Sequence, residues 1–224
     1  MKILEIGKLI IKNYSSIISN QEIKECIKIL PVKYRNVRVK VFIYDDFKEY
    51  LYFCIKNMRV IDLISTIYRR IFEKIKKDNI DQAFYERSKK EIYVFQDKIR
   101  ESISFKKKSF EELDDWKYVS DEIWNSYEAM WIKYITIYDL IHEINHAIQF
   151  NEKKFTVGLK DIIKRWDDRK YEIDAVKTSE AIYKKLDEDF LKILKAEGIH
   201  VYHQYEGELY IGFKYNITYK KSSN

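Results

Sequence analysis

Hydrophobic and polar positions repeat with different periods along this 224-residue chain, and each change of period marks an expected element. Residues 1–34 carry Ile6, Leu9 and Ile10, then Ile17, Ile18, Ile23 and Ile27, at mixed helical spacing on either side of few breakers until Pro31. That spacing predicts a helical N-terminal extension. Val37, Val39, Val41 and Ile43 then alternate with Arg38, Lys40 and Phe42 until Asp45-Asp46, predicting a half-buried strand that opens a small sheet. A second apolar run occupies residues 51–55. From Val60 the spacing lengthens to Ile61, Ile64, Tyr68, Ile71, Phe72 and Ile75, predicting an amphipathic helix that packs on the sheet and ends near Asp78-Asn79. Residues 91–97, rich in β-branched and aromatic types, predict a further strand. Residues 100–130 scatter Phe105, Phe110, Leu113, Trp116, Ile123 and Trp124 among charges and predict short helices and loops. A long helix is expected over 168–196, stopped by Gly198, and residues 199–224 alternate about Glu206-Gly207 as a terminal β-hairpin. The order predicts an α+β fold in one domain, with an extension (1–34), a core (35–198) and the hairpin (199–224).

The informative stretch lies at 134–150. Ile137, Leu140, Ile141, Ile144, Ala147 and Ile148 fall on one side of a helical projection, while Asp139, His142, His146 and Gln149 fall on the other. Residues four apart project from one helix face, so His142 and His146 can offer imidazole nitrogens to a single metal ion. Glu143 sits about 100° round the helix, beside such an ion, where it can take a proton from a water the ion activates. A catalytic site of this kind needs a third protein ligand. Glu172 on the next long helix is the candidate, because Ala175 and Ser179 share its face and let that helix approach closely. Its competing reading is a surface glutamate paired with a lysine, and Glu180 is the alternative acid. His200 and His203 lie three apart on an expected strand and point to opposite faces, so they cannot share an ion. His203 is the one expected to line the cleft and stabilise an oxyanion.

With these residues in place, the pattern resembles the gluzincin branch of the zincin metallopeptidases. In that branch a His-Glu-x-x-His helix precedes a helix carrying a ligand glutamate. The Glu172-x-x-Ala175 form is similar to that of the minigluzincins and of small intracellular peptidases that cleave repressors. The match spans residues 134–182. The resemblance implies a zincin-like fold, with a small mixed sheet over the histidine helix and the glutamate helix behind it. It also implies Zn2+ held by His142, His146 and Glu172, with Glu143 as general base for hydrolysis of a peptide or protein substrate. It further implies that an edge strand holds the substrate in extended form, for which residues 91–97 are the candidate. Two positions depart from the pattern: Asn145 stands where relatives often have Gly, and Val176 where many have an Asp or Asn that orients a ligand histidine. Asp174 or Asp139 is the expected substitute. The metzincin continuation after His146 is absent. The rival class is a catalytically silent regulator on the same scaffold, binding a protein or nucleic-acid partner.

Composition narrows the rest. Hydrophobic residues at 46% and only five glycines and one proline exclude a linker or low-complexity chain. The 42 basic and 36 acidic residues interleave; Lys106-Lys107-Lys108 and the basic residues of 164–170 come with no nucleic-acid motif, so a nucleic-acid partner is not expected. Cys26 and Cys54 show no metal or disulfide spacing and read as buried thiols. No signal peptide and no apolar run of about 18 residues is present, which predicts a cytoplasmic chain without membrane spans. Nothing in the pattern sets an oligomeric state.

Overall fold

The structure is a computed structural model, and it describes residues 2–57, 64, 82–111, 121–155, 169–196, 199–203 and 209–213. Its sheet has the order β1-β2-β3-β5-β4, with β1 Lys2–Ile6, β2 Leu9–Asn13, β3 Val39–Tyr44, β4 Ala83–Glu86 and β5 Glu91–Phe95. Strands β2, β3 and β5 run parallel, and β1 and β4 close the two edges antiparallel to their neighbours. The first residues are therefore strands, not the helical extension expected for 1–34. Leu9 and Ile11 are fully buried while Ile10 and Lys12 are half-buried, a period of two, and Ile6 pairs with Leu9 across a turn at Gly7-Lys8. Gly7 takes φ +63°, and a Cβ there would collide with the Arg35 carbonyl oxygen, so the turn depends on glycine.

Helices begin later, with α1 Asn20–Ile29 and α2 Val32–Asn36. Ser19 caps α1 and Glu22 returns the bond to the Ser19 backbone, a reciprocal capping box. The strand read from Val37 to Ile43 is central rather than first, and buried on both faces from Val41 to Tyr44 because layers cover both sides of the sheet. On one side lies α3 Phe47–Lys56, capped by Asp46; it absorbs the 51–55 run and covers Phe42, Tyr44, Tyr93 and Phe95. On the other lie the long helices, which share the main core with Ile11, Val41, Ile43, Ile92 and Val94. The helix expected over 60–78 lies outside the described residues apart from Ile64, which is helical.

Residues 100–130 hold longer helices than their scattered pattern suggested: α4 Gln96–Glu111, and the start of α5 Asp121–Asn151. Trp124 and Trp131, seven residues and two turns apart, meet edge to face at 5.3 Å inside the core. Gln96 ties sheet to helix, donating to Thr136 Oγ1 at 3.1 Å and accepting from Ser15 Oγ at 2.7 Å. The last long helix, α6 Lys170–Ile193, lies against α5 through Tyr183, whose ring contacts Tyr134 at 5.2 Å and Tyr138 at 4.9 Å. Tyr134 also donates to Asp187 Oδ1 at 2.6 Å. Strands β6 Ile199–His203 and β7 Leu209–Phe213 pair antiparallel as a separate two-stranded unit, as the alternation near the C-terminus predicts. Cys26 and Cys54 are buried free thiols. Among the described residues, no helix is long and apolar enough to cross a membrane.

Candidate metal centre

From Leu140 to Gln149 every residue of α5 is buried, so the polar side of its stripe faces protein rather than water. His142, Glu143, Asn145, His146 and Gln149 all lie on this enclosed stretch. Buried polar groups demand partners. Asn145 donates to Ser179 Oγ at 2.9 Å and accepts from the Tyr34 hydroxyl, which joins α5 to α6 and to α2. Ala175 and Ser179 are fully buried on α6, and their small side chains admit the close approach that brings Glu172 to α5.

The result is a triangle of ligand atoms. His146 Nε2 lies 3.1 Å from His142 Nε2 and 2.9 Å from Glu172 Oε2, and His142 Nε2 lies 3.4 Å from the same oxygen. The two imidazole planes are nearly perpendicular, at 89°. A tetrahedral ion with bonds of about 2.0–2.1 Å separates its ligand atoms by roughly 3.3 Å. The three edges lie within about 0.4 Å of that value, so small side-chain adjustments let the donor set hold a divalent ion. Among the described residues no other cluster of His, Cys, Asp and Glu meets this condition.

Outer contacts fix how the imidazoles present themselves. His146 Nδ1 lies 3.0 Å from Gln149 Oε1, which as an acceptor keeps the proton on Nδ1 and leaves Nε2 for the ion. Gln149 Nε2 in turn donates to Asp174 Oδ2 at 2.8 Å and to the Tyr171 carbonyl at 3.0 Å, and Lys154 holds Asp174 from outside at 2.7 Å. Asp174 thus serves His146 at one remove, through a glutamine three residues beyond the histidine on its own helix. Asp139, the other expected substitute, makes no hydrogen bond to either histidine. Burial and the neighbouring Glu143 charge push its carboxyl well above the usual range. Replacing Gln149 with Leu removes the acceptor at constant bulk; metal affinity is expected to fall about 10- to 100-fold, read by competition with a chromogenic chelator.

Electrostatics couple the site to protons. Burial disfavours a charged His146, but its hydrogen bond to Glu172, the Glu143 and Glu172 charges and Gln149 outweigh burial and raise it to about 9. Burial likewise opposes a charged Glu172, yet hydrogen bonds and charge from both histidines hold it down to about 2. The metal-free site is an imidazolium–carboxylate pair. The raised His146 contributes stability fully below 6.5 and loses it as pH climbs through about 9. The depressed Glu172 contributes fully above 4.5 and loses it as pH falls through about 2. A metal ion must displace the His146 proton, so loading at pH 7 is expected to release about one proton and to tighten as pH rises. Calorimetry in two buffers of different ionisation enthalpy measures this; loading without proton release contradicts the pairing.

The structure therefore brings together His142, His146 and Glu172 and sets Glu143 beside them, buried and one residue from His142. His203 is on β6, which lies against both long helices, but its side chain is outside the described ones. Three half-buried aromatic residues escaped the sequence reading. Tyr171 of α6 meets His146 at 5.8 Å, Phe150 of α5 lies 6.4 Å from it, and Tyr85 of β4 stacks on Phe150 at 6.2 Å. Only the Phe150 spacing, one turn after His146, was legible in sequence. A scan against protein-family models and searches of curated proteins and of solved structures return no match for this chain.

Proposed function

We propose that the chain is a cytoplasmic zinc-dependent peptidase. The observation that carries the reading is the convergence of two imidazole nitrogens and one carboxylate oxygen within 3.4 Å of one another, with Glu143 adjacent on the same helix. Two nitrogens and one oxygen suit zinc and leave a fourth tetrahedral position for water or substrate. Bound there, zinc supplies Lewis acidity: it polarises the scissile carbonyl and lowers the pKa of a water from about 15.7 towards about 7.

The chain's own residues do the rest. Glu143 takes a proton from the attacking water as its oxygen joins the carbonyl carbon, and returns it to the leaving nitrogen when the C–N bond breaks. Gln149, backed by Asp174, holds the His146 ring in one tautomer. The fold revises the expected substrate strand, because β5, which contains 91–95, is paired on both sides and has no edge to offer. The edge strand beside α5 is β4, anchored to the histidine helix by the Tyr85–Phe150 stack. An extended peptide adds to β4 by main-chain hydrogen bonds.

The test is hydrolysis of a mixed peptide library by zinc-loaded protein, analysed by mass spectrometry. Cleavage that disappears with chelator and returns with zinc supports the reading. Stoichiometric zinc without any cleavage favours the silent regulator instead.

A further inference from the structure

At the end of α5 nearest His146, a groove of about 600 Å³ opens between the β1–β2 turn, the chain entering β3, the β4–β5 turn and the last residue of the helix. Its lining includes Lys8, Arg38 and Lys90, the amides of Asn36 and Asn151, and a single acid, Glu5. Lys8, Arg38 and Lys90 are exposed, and none forms an ion pair with a described residue. On a chain whose lysines mostly alternate with acids, three cations without an acidic partner among the described residues, against one carboxylate in the lining, make a local positive field.

The cations stand on backbone that is already fixed. The Lys8 amide donates to the Arg35 carbonyl at 2.7 Å, and the Lys90 carbonyl accepts from Lys40 at 3.0 Å. The groove and the candidate metal centre share the helix α5, though no lining residue. Asn151 lies five residues beyond His146 on α5, about 7.5 Å along the axis. Arg87, in the turn that leads to Lys90, stacks its guanidinium 4.5 Å over Phe150, the ring neighbouring His146. A peptide laid along β4 past His146 is carried towards this turn.

We infer that the groove binds an acidic stretch of the peptide substrate, its carboxylates meeting Lys8, Arg38 and Lys90 on the β4–β5-turn side of the scissile bond. The identity of this ligand rests on the peptidase reading; the anionic character of the site does not. The experiment measures binding without turnover. Fluorescein-labelled decapeptides of alternating Ala-Glu, Ala-Gln and Ala-Lys are titrated by anisotropy, at low and high salt, into zinc-loaded protein carrying Glu143→Gln. The same titrations use protein with Lys8→Gln, Arg38→Gln and Lys90→Gln added, whose exposed positions leave fold and zinc content unchanged as controls.

The Ala-Glu peptide is expected to bind about tenfold tighter than Ala-Gln, a preference that salt weakens and the triple variant abolishes. Equal binding of Ala-Glu and Ala-Gln, or a preference the triple variant retains, overturns the inference. So does tighter, groove-dependent binding of an oligothymidine included as competitor, which assigns the groove to nucleic acid. Groove-dependent Ala-Glu binding in a protein whose parent hydrolyses nothing supports the anionic site and removes the peptidase reading. Hydrolysis with no preference for acidic peptides does the reverse.

Discussion

Glu143→Gln is expected to lower peptide hydrolysis by roughly 10²–10⁴-fold while zinc content and thermal stability stay at parental values. Glutamine matches the size of glutamate and keeps a carbonyl acceptor, so the buried α5 stretch loses no volume. What it loses is the ability to take a proton at neutral pH. His146 should also feel the change, because the Glu143 charge is one of the groups that raise it, and the substitution lowers the pH at which the metal-free imidazole deprotonates. Hydrolysis rates, zinc by atomic emission and an NMR titration of the imidazole read the three effects separately. Unaltered hydrolysis in the variant removes Glu143 from the chemistry. A partner-binding regulator predicts that binding is indifferent to this substitution.

Replacing His146 with Ala should do more damage, because this side chain is the hub of the centre. Its Nε2 touches both other ligands, and its Nδ1 anchors the Gln149–Asp174 relay. Metal affinity is expected to fall by more than the about 100-fold upper range for losing an outer contact. The loss also appears in stability. A ligand at a hundred times its dissociation constant stabilises the folded state by about 2.7 kcal/mol, so zinc should raise the melting temperature of the parent and leave the variant unmoved. In the metal-free state the variant leaves the Glu172 carboxylate with only His142 as an imidazole partner, which predicts a lower melting temperature at pH 6 even without metal. A melting temperature that responds equally to zinc in both proteins places the ion elsewhere.

The local chemistry was legible because it depends on spacing along helices. His142, His146 and Gln149 are within two turns of one another, and the partner face of α6 announced itself through Ala175 and Ser179 beside Glu172. What spacing could not supply was the sheet. Leu9-Ile10-Ile11 fits either period over so short a run, and the deciding signal was the single residue Gly7, whose left-handed backbone makes a two-residue turn possible. The strand at 91–95 was found, but its neighbours were not. Pairing partners are set by tertiary order, and β4, with the weaker sequence pattern, turned out to hold the edge. The 100–130 region misled for a related reason. Aromatic residues such as Trp124 bury through ring contacts two turns apart rather than through a clean stripe, so a continuous helix looked like fragments.

The same limit explains the outer contacts of the metal site. Val176 offers no polar side chain to a histidine, and by charge alone the acids Asp174 and Asp139 are the expected substitutes. The replacement is a neutral amide, Gln149, which reaches Nδ1 from the histidine's own helix and passes the interaction on to Asp174. A carboxylate in that place would add a negative charge to the centre, and an amide fixes the tautomer without one. The basic groove was invisible in sequence for a different reason: Lys8, Arg38 and Lys90 are far apart in the chain and meet only because β2, β3 and β5 begin side by side.

The most direct measurement is the metal content of the full chain purified without chelators or metal-affinity resin, by inductively coupled plasma mass spectrometry. About one zinc per chain is the expected result for a centre with three protein ligands. No zinc in the purified protein, together with failure of added zinc to bind, would contradict the account at its centre and leave His142, His146 and Glu172 as a buried ion pair.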